Sequence, residues 1–190
     1  MKIVHRGKCG AVVMLLTSLM GCTTLVAPNY SPDYETLDKL KAAKPGKVQV
    51  MPVKPEDPAA AVNRVTLRGG VLHSPDGTFS KYLQQALIRD LQEIGALDAA
   101  AGTQIEATVL KNDIDVRGFS TGAGLMEVDF SISRAGSVRL KKVYRAETKF
   151  ESSIAGAVAV PKGQVEYANL VRALLSKVYA DSEFINAIRP

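Results

Sequence analysis

The chain of 190 residues contains no tryptophan, only two cysteines and only two histidines, and Phe and Tyr together make up 6% of it. Two cysteines cannot build a disulfide scaffold or a thiolate metal centre. A histidine metal site needs several convergent ligands, and His5 and His73 are the only imidazoles. Long apolar runs are missing as well. A bilayer-spanning helix takes roughly 20 apolar residues, and the run Ala11 to Met20 is about half that length. Acidic side chains are absent before Asp33, so the N-terminal region carries one sign of charge.

What is present there has a definite layout. Lys2, Arg6 and Lys8 precede the Ala11 to Met20 run, which ends in Gly21-Cys22. A positive start followed by a short apolar stretch is the pattern of a secretory signal. Leu19-Met20-Gly21-Cys22 resembles the lipobox of bacterial lipoproteins. That resemblance implies cleavage between Gly21 and Cys22, with acyl chains attached at Cys22, and several chains on one residue hold a protein on a membrane essentially permanently. Thr23, rather than an aspartate, follows the cysteine, which by the same resemblance implies the outer membrane with the domain facing the periplasm. Removing the leader takes away three basic and no acidic residues, which lowers the formal charge from +5 to +2. Neither that charge nor an exported address suits nucleic acid. Cys9 leaves with the leader and Cys22 serves as the anchor, so stability must come from a hydrophobic core.

The expected organisation is a cleaved signal at 1–21, a lipid anchor and tether at 22–46, and one α+β domain at 47–190. The tether reading rests on three prolines and no sustained period in 23–46, with one short helix near Asp33 to Ala43. Left flexible, it would span roughly 25 to 30 Å. Lys47 to Val53 alternates as a strand, and Pro52 places it near an edge. A second strand is expected near Asn63 to Leu72, bent at Gly69-Gly70. A helix follows, capped by Thr78 and stopped by Gly95, with Phe79, Tyr82, Leu83, Ala86, Leu87, Leu91 and Ile94 on one stripe. Three strands come next, Gln104 to Val116, Leu125 to Ser133 and Ser137 to Phe150. In the first, apolar positions change parity at Leu110, which predicts a bulge. The second and third alternate strictly. With the bend at Arg134 to Gly136, Phe130 faces Leu140, Met126 faces Tyr144, Asp129 faces Lys141 and Leu125 faces Arg145. A helix over Val165 to Val178 closes the chain, and Asp181 caps a short restart through Ile188. The order β-β-α-β-β-β-α predicts a two-layer sandwich, a mostly antiparallel sheet with two helices on one face.

Few residues carry recognisable chemistry. Gly118 to Gly122 reads GFSTG, the string that presents a nucleophilic serine in many hydrolases. A nucleophile elbow opens into a helix, whereas Ser120 precedes a strand, and His73 lies upstream. The reading is a glycine-rich connection with Phe119 at its tip, available for partner contact. Asp113/Asp115 and Glu127/Asp129, two apart on strands, populate a wet face. Arg139, Lys141, Arg145 and Lys149 share one strand face and form a candidate contact surface. No catalytic residue, metal ligand or cofactor is assigned.

The lipobox, the segment SKYLQQALIRDLQEIGA, the hairpin ending KKVYRAETKFE with YRA at Tyr144 to Ala146, and the closing ADSEFINAI together resemble the YajG-type family of outer-membrane lipoproteins, over Asn63 to Arg189. The chain departs from it in the glycine-rich 118–124 connection and in the N-terminal segment. A wider, weaker likeness is to auxiliary lipoproteins of envelope transport systems. These resemblances imply a non-enzymatic, lipid-anchored protein that binds within an envelope assembly. Its partners would be the membrane, through the N-terminal lipid, and an envelope protein. An auxiliary subunit of a lipid or ABC-type transporter is the alternative, and a periplasmic serine hydrolase using Ser120 is the remote one.

Overall fold

Three long strands, β5 (Thr103–Asp115), β6 (Thr121–Arg134) and β7 (Ser137–Glu151), form an antiparallel meander. The computed structural model describes residues 24–190, so the signal segment, Gly21 and Cys22 lie outside the described residues. Alternation puts Met126, Val128, Phe130 and Ile132 on the buried face and leaves Glu127, Asp129 and Ser131 on the other. Leu110 is bulged out of β5 and exposed, and the parity change around it is what keeps both Val109 and Ile114 on the core side. β2 (Val48–Val50) extends the sheet along β5 in parallel, giving the order β2-β5-β6-β7 with the short proline-flanked strand at one edge.

Helices cover only the apolar face. α2 (Phe79–Glu93) starts where Thr78 accepts the Lys81 N–H and ends before Gly95, whose positive φ of 72° reverses the chain. α3 (Gly156–Ala180) runs along β5, β6 and β7, and α4 (Ser182–Ile188) packs at its end on β6 and β7. Rings interlock the layers: Phe130 meets Tyr144 and Phe184 edge-on at 5.7 and 6.4 Å, and Tyr167 of α3 lies 4.3 Å from Phe79 of α2. α3 begins two turns earlier than its apolar period indicates. Pro161 sits within it, and Gly163 faces Val116 and Leu67 so closely that a Cβ there would lie 2.5 Å from the Val116 side chain.

The α+β class and the two layers match expectation, but several details differ. The strand expected over Asn63 to Leu72 is a hairpin, β3 (Val65–Leu67) and β4 (Gly70–His73), because Arg68 and Gly69 both take positive φ and turn the chain in two residues. It belongs to a second sheet of order β1-β4-β3, whose first strand is β1 (Leu25–Val26), parallel to β4. The four helices among the described residues are the two expected to cover the sheet and the two short ones expected near Asp33 to Ala43 and after Asp181.

The segment read as a tether, whose order the sequence leaves open, is docked. Residues 24–46 pack on the domain: Tyr30 is buried, and α1 (Tyr34–Ala42) buries Leu37 and Leu40 while packing on α3. Side chains of the domain hold the segment's backbone as well, Arg89 and Arg172 on the carbonyls of Tyr30 and Ser31, Tyr82 on Pro28 and Gln164 on Val26. Three prolines here fix the path of a docked strap and do not mark a free linker.

The β6–β7 register is also shifted by two from expectation. Arg134 pairs with Ser137 across a two-residue turn, Ala135-Gly136, and Arg139 is extruded between Ile132↔Leu140 and Ser133↔Val138. Phe130 therefore stands opposite Lys142, Met126 opposite Ala146, Asp129 opposite Val143 and Leu125 opposite Glu147. A shift of two preserves the faces, so the side chains from Leu140 onward stay in their expected layers, while Val138, before the bulge, pairs with Ser133 and is exposed.

Candidate functional site

The face of the main sheet opposite the helices is open. No element among the described residues packs on it, and β7 exposes Lys141, Val143, Arg145, Glu147 and Lys149 along it. The register aligns Lys111, Glu127 and Arg145 across three strands. The Glu127 carboxylate accepts from Lys111 at 3.2 Å and from Arg145 at 2.7 Å, and Arg145 also donates through Nε to Glu147 at 2.8 Å. Arg145 holds the Glu147 carboxyl below its ordinary range. Of the four expected contact cations, Arg145 is thus the centre of a mixed-sign network. Arg139, Lys141 and Lys149 make no ion pair among the described residues and point to solvent. The resulting surface is broad and polar, charged in both signs, with an unpaired β7 edge beside it.

Phe119, on the loop between β5 and β6, is 83% exposed, so it does not fold back on the sheet. Ser120 contributes its carbonyl to the Ser152 N–H at 2.9 Å, and its hydroxyl makes no hydrogen bond to a side chain among the described residues. His73 lies on β4 and contributes its carbonyl to Ala27, its ring likewise making no hydrogen bond there. Thr121 to Gly124, expected in the loop, belong to β6 instead. Gly124 is needed for close packing, since a Cβ would lie 2.6 Å from the Thr148 hydroxyl. Asp115 is engaged by its neighbour Arg117, which pulls its carboxyl down to about 2. Among the described residues no group of three His, Cys, Asp or Glu side chains gathers as a metal site.

Comparison with known proteins adds the fold. No family model matches the chain, and no curated protein matches it in sequence. The protein XCC0632 from Xanthomonas campestris, of the family DUF330, is similar in structure, with a TM-score of 0.54 at 13% identity over 81% of this chain and 94% of that one. The hypothetical protein CT253 from Chlamydia trachomatis is similar at a TM-score of 0.45 and 12% identity, over 76% of this chain and 99% of that one. The likeness to XCC0632 shows a shared fold.

Two polar clusters on the helix side escaped sequence reasoning. Lys142, on the buried side of β7, donates to Asp181 and Glu183 at 2.8 Å each, and the Tyr144 hydroxyl donates to Asp181 at 2.6 Å. Asp181 also caps α4, so one carboxylate ties the α3–α4 junction to the sheet, and the Lys142 bond holds its pKa low. Beneath the strap, Asp90 of α2 is 1% exposed and accepts from the Tyr30 hydroxyl at 2.8 Å. Burial pushes its carboxyl up to about 6 against the hydrogen bond from Tyr30. The only sequence signal was an acid on the apolar stripe of α2, at the spacing of Ala86 and Leu87.

Proposed function

We propose that this protein is a lipid-anchored, non-enzymatic component of the cell envelope, held at the outer membrane through Cys22, that works by binding an envelope protein with its open sheet face. The observation that carries the reading is that uncovered face, polar and mixed in charge, on a domain whose helices all lie on the other side. Unpaired Arg139, Lys141 and Lys149 beside the Lys111–Glu127–Arg145 network give it the patterned charge that selects a partner and disfavours wrong ones. The leader and the Leu19–Cys22 lipobox support the address. No helix among the described residues is long and apolar enough to cross a membrane.

A photo-crosslinking residue at Lys141, introduced in cells, tests this against the same residue at exposed Asp38 on α1. One discrete partner captured from 141 and not from 38, and lost when Arg139 and Lys141 are both changed to Glu, is the expected result. Equal capture from both positions would overturn the reading.

A further inference from the structure

Most of the large apolar side chains that the fold leaves exposed lie around one end of the molecule, the end at which the described chain begins. Phe119, Ile154, Val158 and Val165 are 83%, 64%, 46% and 58% exposed, and Val26 and Val71 are more than a third exposed. Three connections meet there. The Arg68 side chain, at the β3–β4 turn, donates to the carbonyl of Val116 at 3.0 Å and to that of Ser153 at 2.9 Å, which clamps the β5–β6 loop to the β7–α3 loop. Ser152 donates to the Ser120 carbonyl, which fixes Phe119 beside the same junction. From Ile154 the chain enters α3, where Val158, Pro161 and Val165 follow at helical spacing along the exposed side, with Phe150 across a shallow apolar groove of about 490 Å³. The amide of Gln164, next to Val165, donates to the Val26 carbonyl at 2.5 Å.

That last contact fixes where the lipid would be. Cys22 precedes Thr24 by two residues, a reach of no more than about 7 Å of extended chain, and β1 starts at Leu25 in register with Leu72. Because the strap is docked, little free chain separates the acylated residue from the domain. An exposed apolar patch on a soluble domain marks a contact surface, and here the surface adjacent to the attachment point is the bilayer itself. We propose that the end bearing Phe119, Ile154, Val158 and Val165 rests in the interfacial layer of the membrane that holds the Cys22 lipid, so that the domain is oriented by two points, lipid and apolar patch. Arg117 and Lys162 flank the patch but are engaged by Asp115 and Glu151, so the contact is apolar and insensitive to salt. The inference rests on acylation of Cys22, as proposed above.

The absence of tryptophan makes the test direct. Full-length protein with Phe119→Trp, and separately Val143→Trp on the open sheet face, is purified from a lipoprotein-processing host. Each is reconstituted into phosphatidylethanolamine/phosphatidylglycerol vesicles with and without brominated acyl chains. Mass spectrometry of the same samples reads the lipid on Cys22. The expected result is an acylated protein whose tryptophan at 119 emits to the blue and is quenched by the brominated lipid at low and high salt, while that at 143 is neither shifted nor quenched. An acylated protein with position 119 unquenched overturns the membrane face and leaves the anchor standing. A blue shift at 119 without quenching also overturns it, since that marks burial against protein. A mature chain lacking the lipid mass overturns the anchor and the face together.

Discussion

Asp90 shows how a single side chain ties the strap to the domain. Its carboxyl is buried among Tyr30, Tyr179 and Leu175, and taking it out of water raises its pKa from 3.8 to about 6. A carboxyl raised on folding favours the native state while it is protonated. The contribution is complete below about pH 4 and is lost as pH rises to about 6, because the native state must then ionise a buried group. Over that window the loss is roughly 3 kcal/mol. Asp90→Asn keeps an acceptor for the Tyr30 hydroxyl and removes the titration. The stability of the variant relative to the wild type should therefore rise by about that amount between pH 4 and pH 6, measured as the difference in urea-unfolding free energies. A difference that stays flat with pH would mean that Asp90 titrates normally. Comparing the two proteins cancels the opposite slope from Asp115 and Asp181, whose pKa values are lowered.

At the scale of elements, the β6–β7 hairpin shows what a sequence pattern carries and what it does not. Alternation along Met126 to Ile132 and the parity change at Leu110 were legible, because both record which side chains must leave water. The register was not. It depends on a turn that places Ala135 at φ 48°, a conformation that alanine does not advertise, and on the extrusion of Arg139, which restores the faces and so leaves no trace in the pattern. The first turns of α3 were hidden for a related reason, since Pro161 and Gly163 read as breakers although the packing of Gly163 on Val116 requires a missing side chain. The open face was legible as a wet face, whereas the pairing of Arg145 with Glu127 needed the true register. Ala135 yields a prediction. A two-residue turn with positive φ at both positions prefers Asn-Gly, and left-handed alanine costs on the order of 1 kcal/mol. Ala135→Asn should raise the unfolding free energy by about 0.5 to 1 kcal/mol without changing the dependence on denaturant. Destabilisation instead would mean that the turn is not of this type.

For the whole molecule, the question is whether residues 24–46 are a leash or part of the body. A leash could be shortened or removed with little effect on folding. The structure instead buries Tyr30, Leu37 and Leu40 and closes β1 onto β4 as the third strand of the small sheet. Fully burying side chains of this size is worth about 1.5 to 3 kcal/mol each, so three together contribute on the order of 5 kcal/mol. That is comparable with the entire net stability of an ordinary domain, about 5 to 15 kcal/mol. A chain beginning at Lys47 should therefore lose most of its stability, seen as a broad, early urea transition, while one beginning at Thr24 should unfold cooperatively. Hydrogen exchange on the intact chain gives an independent reading, because the α1 amides should be protected to nearly the same degree as those of α3. If the chain from Lys47 unfolds like the longer one, the strap is dispensable. With the strap docked, by contrast, residues 24–46, the apolar end and the open sheet face form one rigid unit.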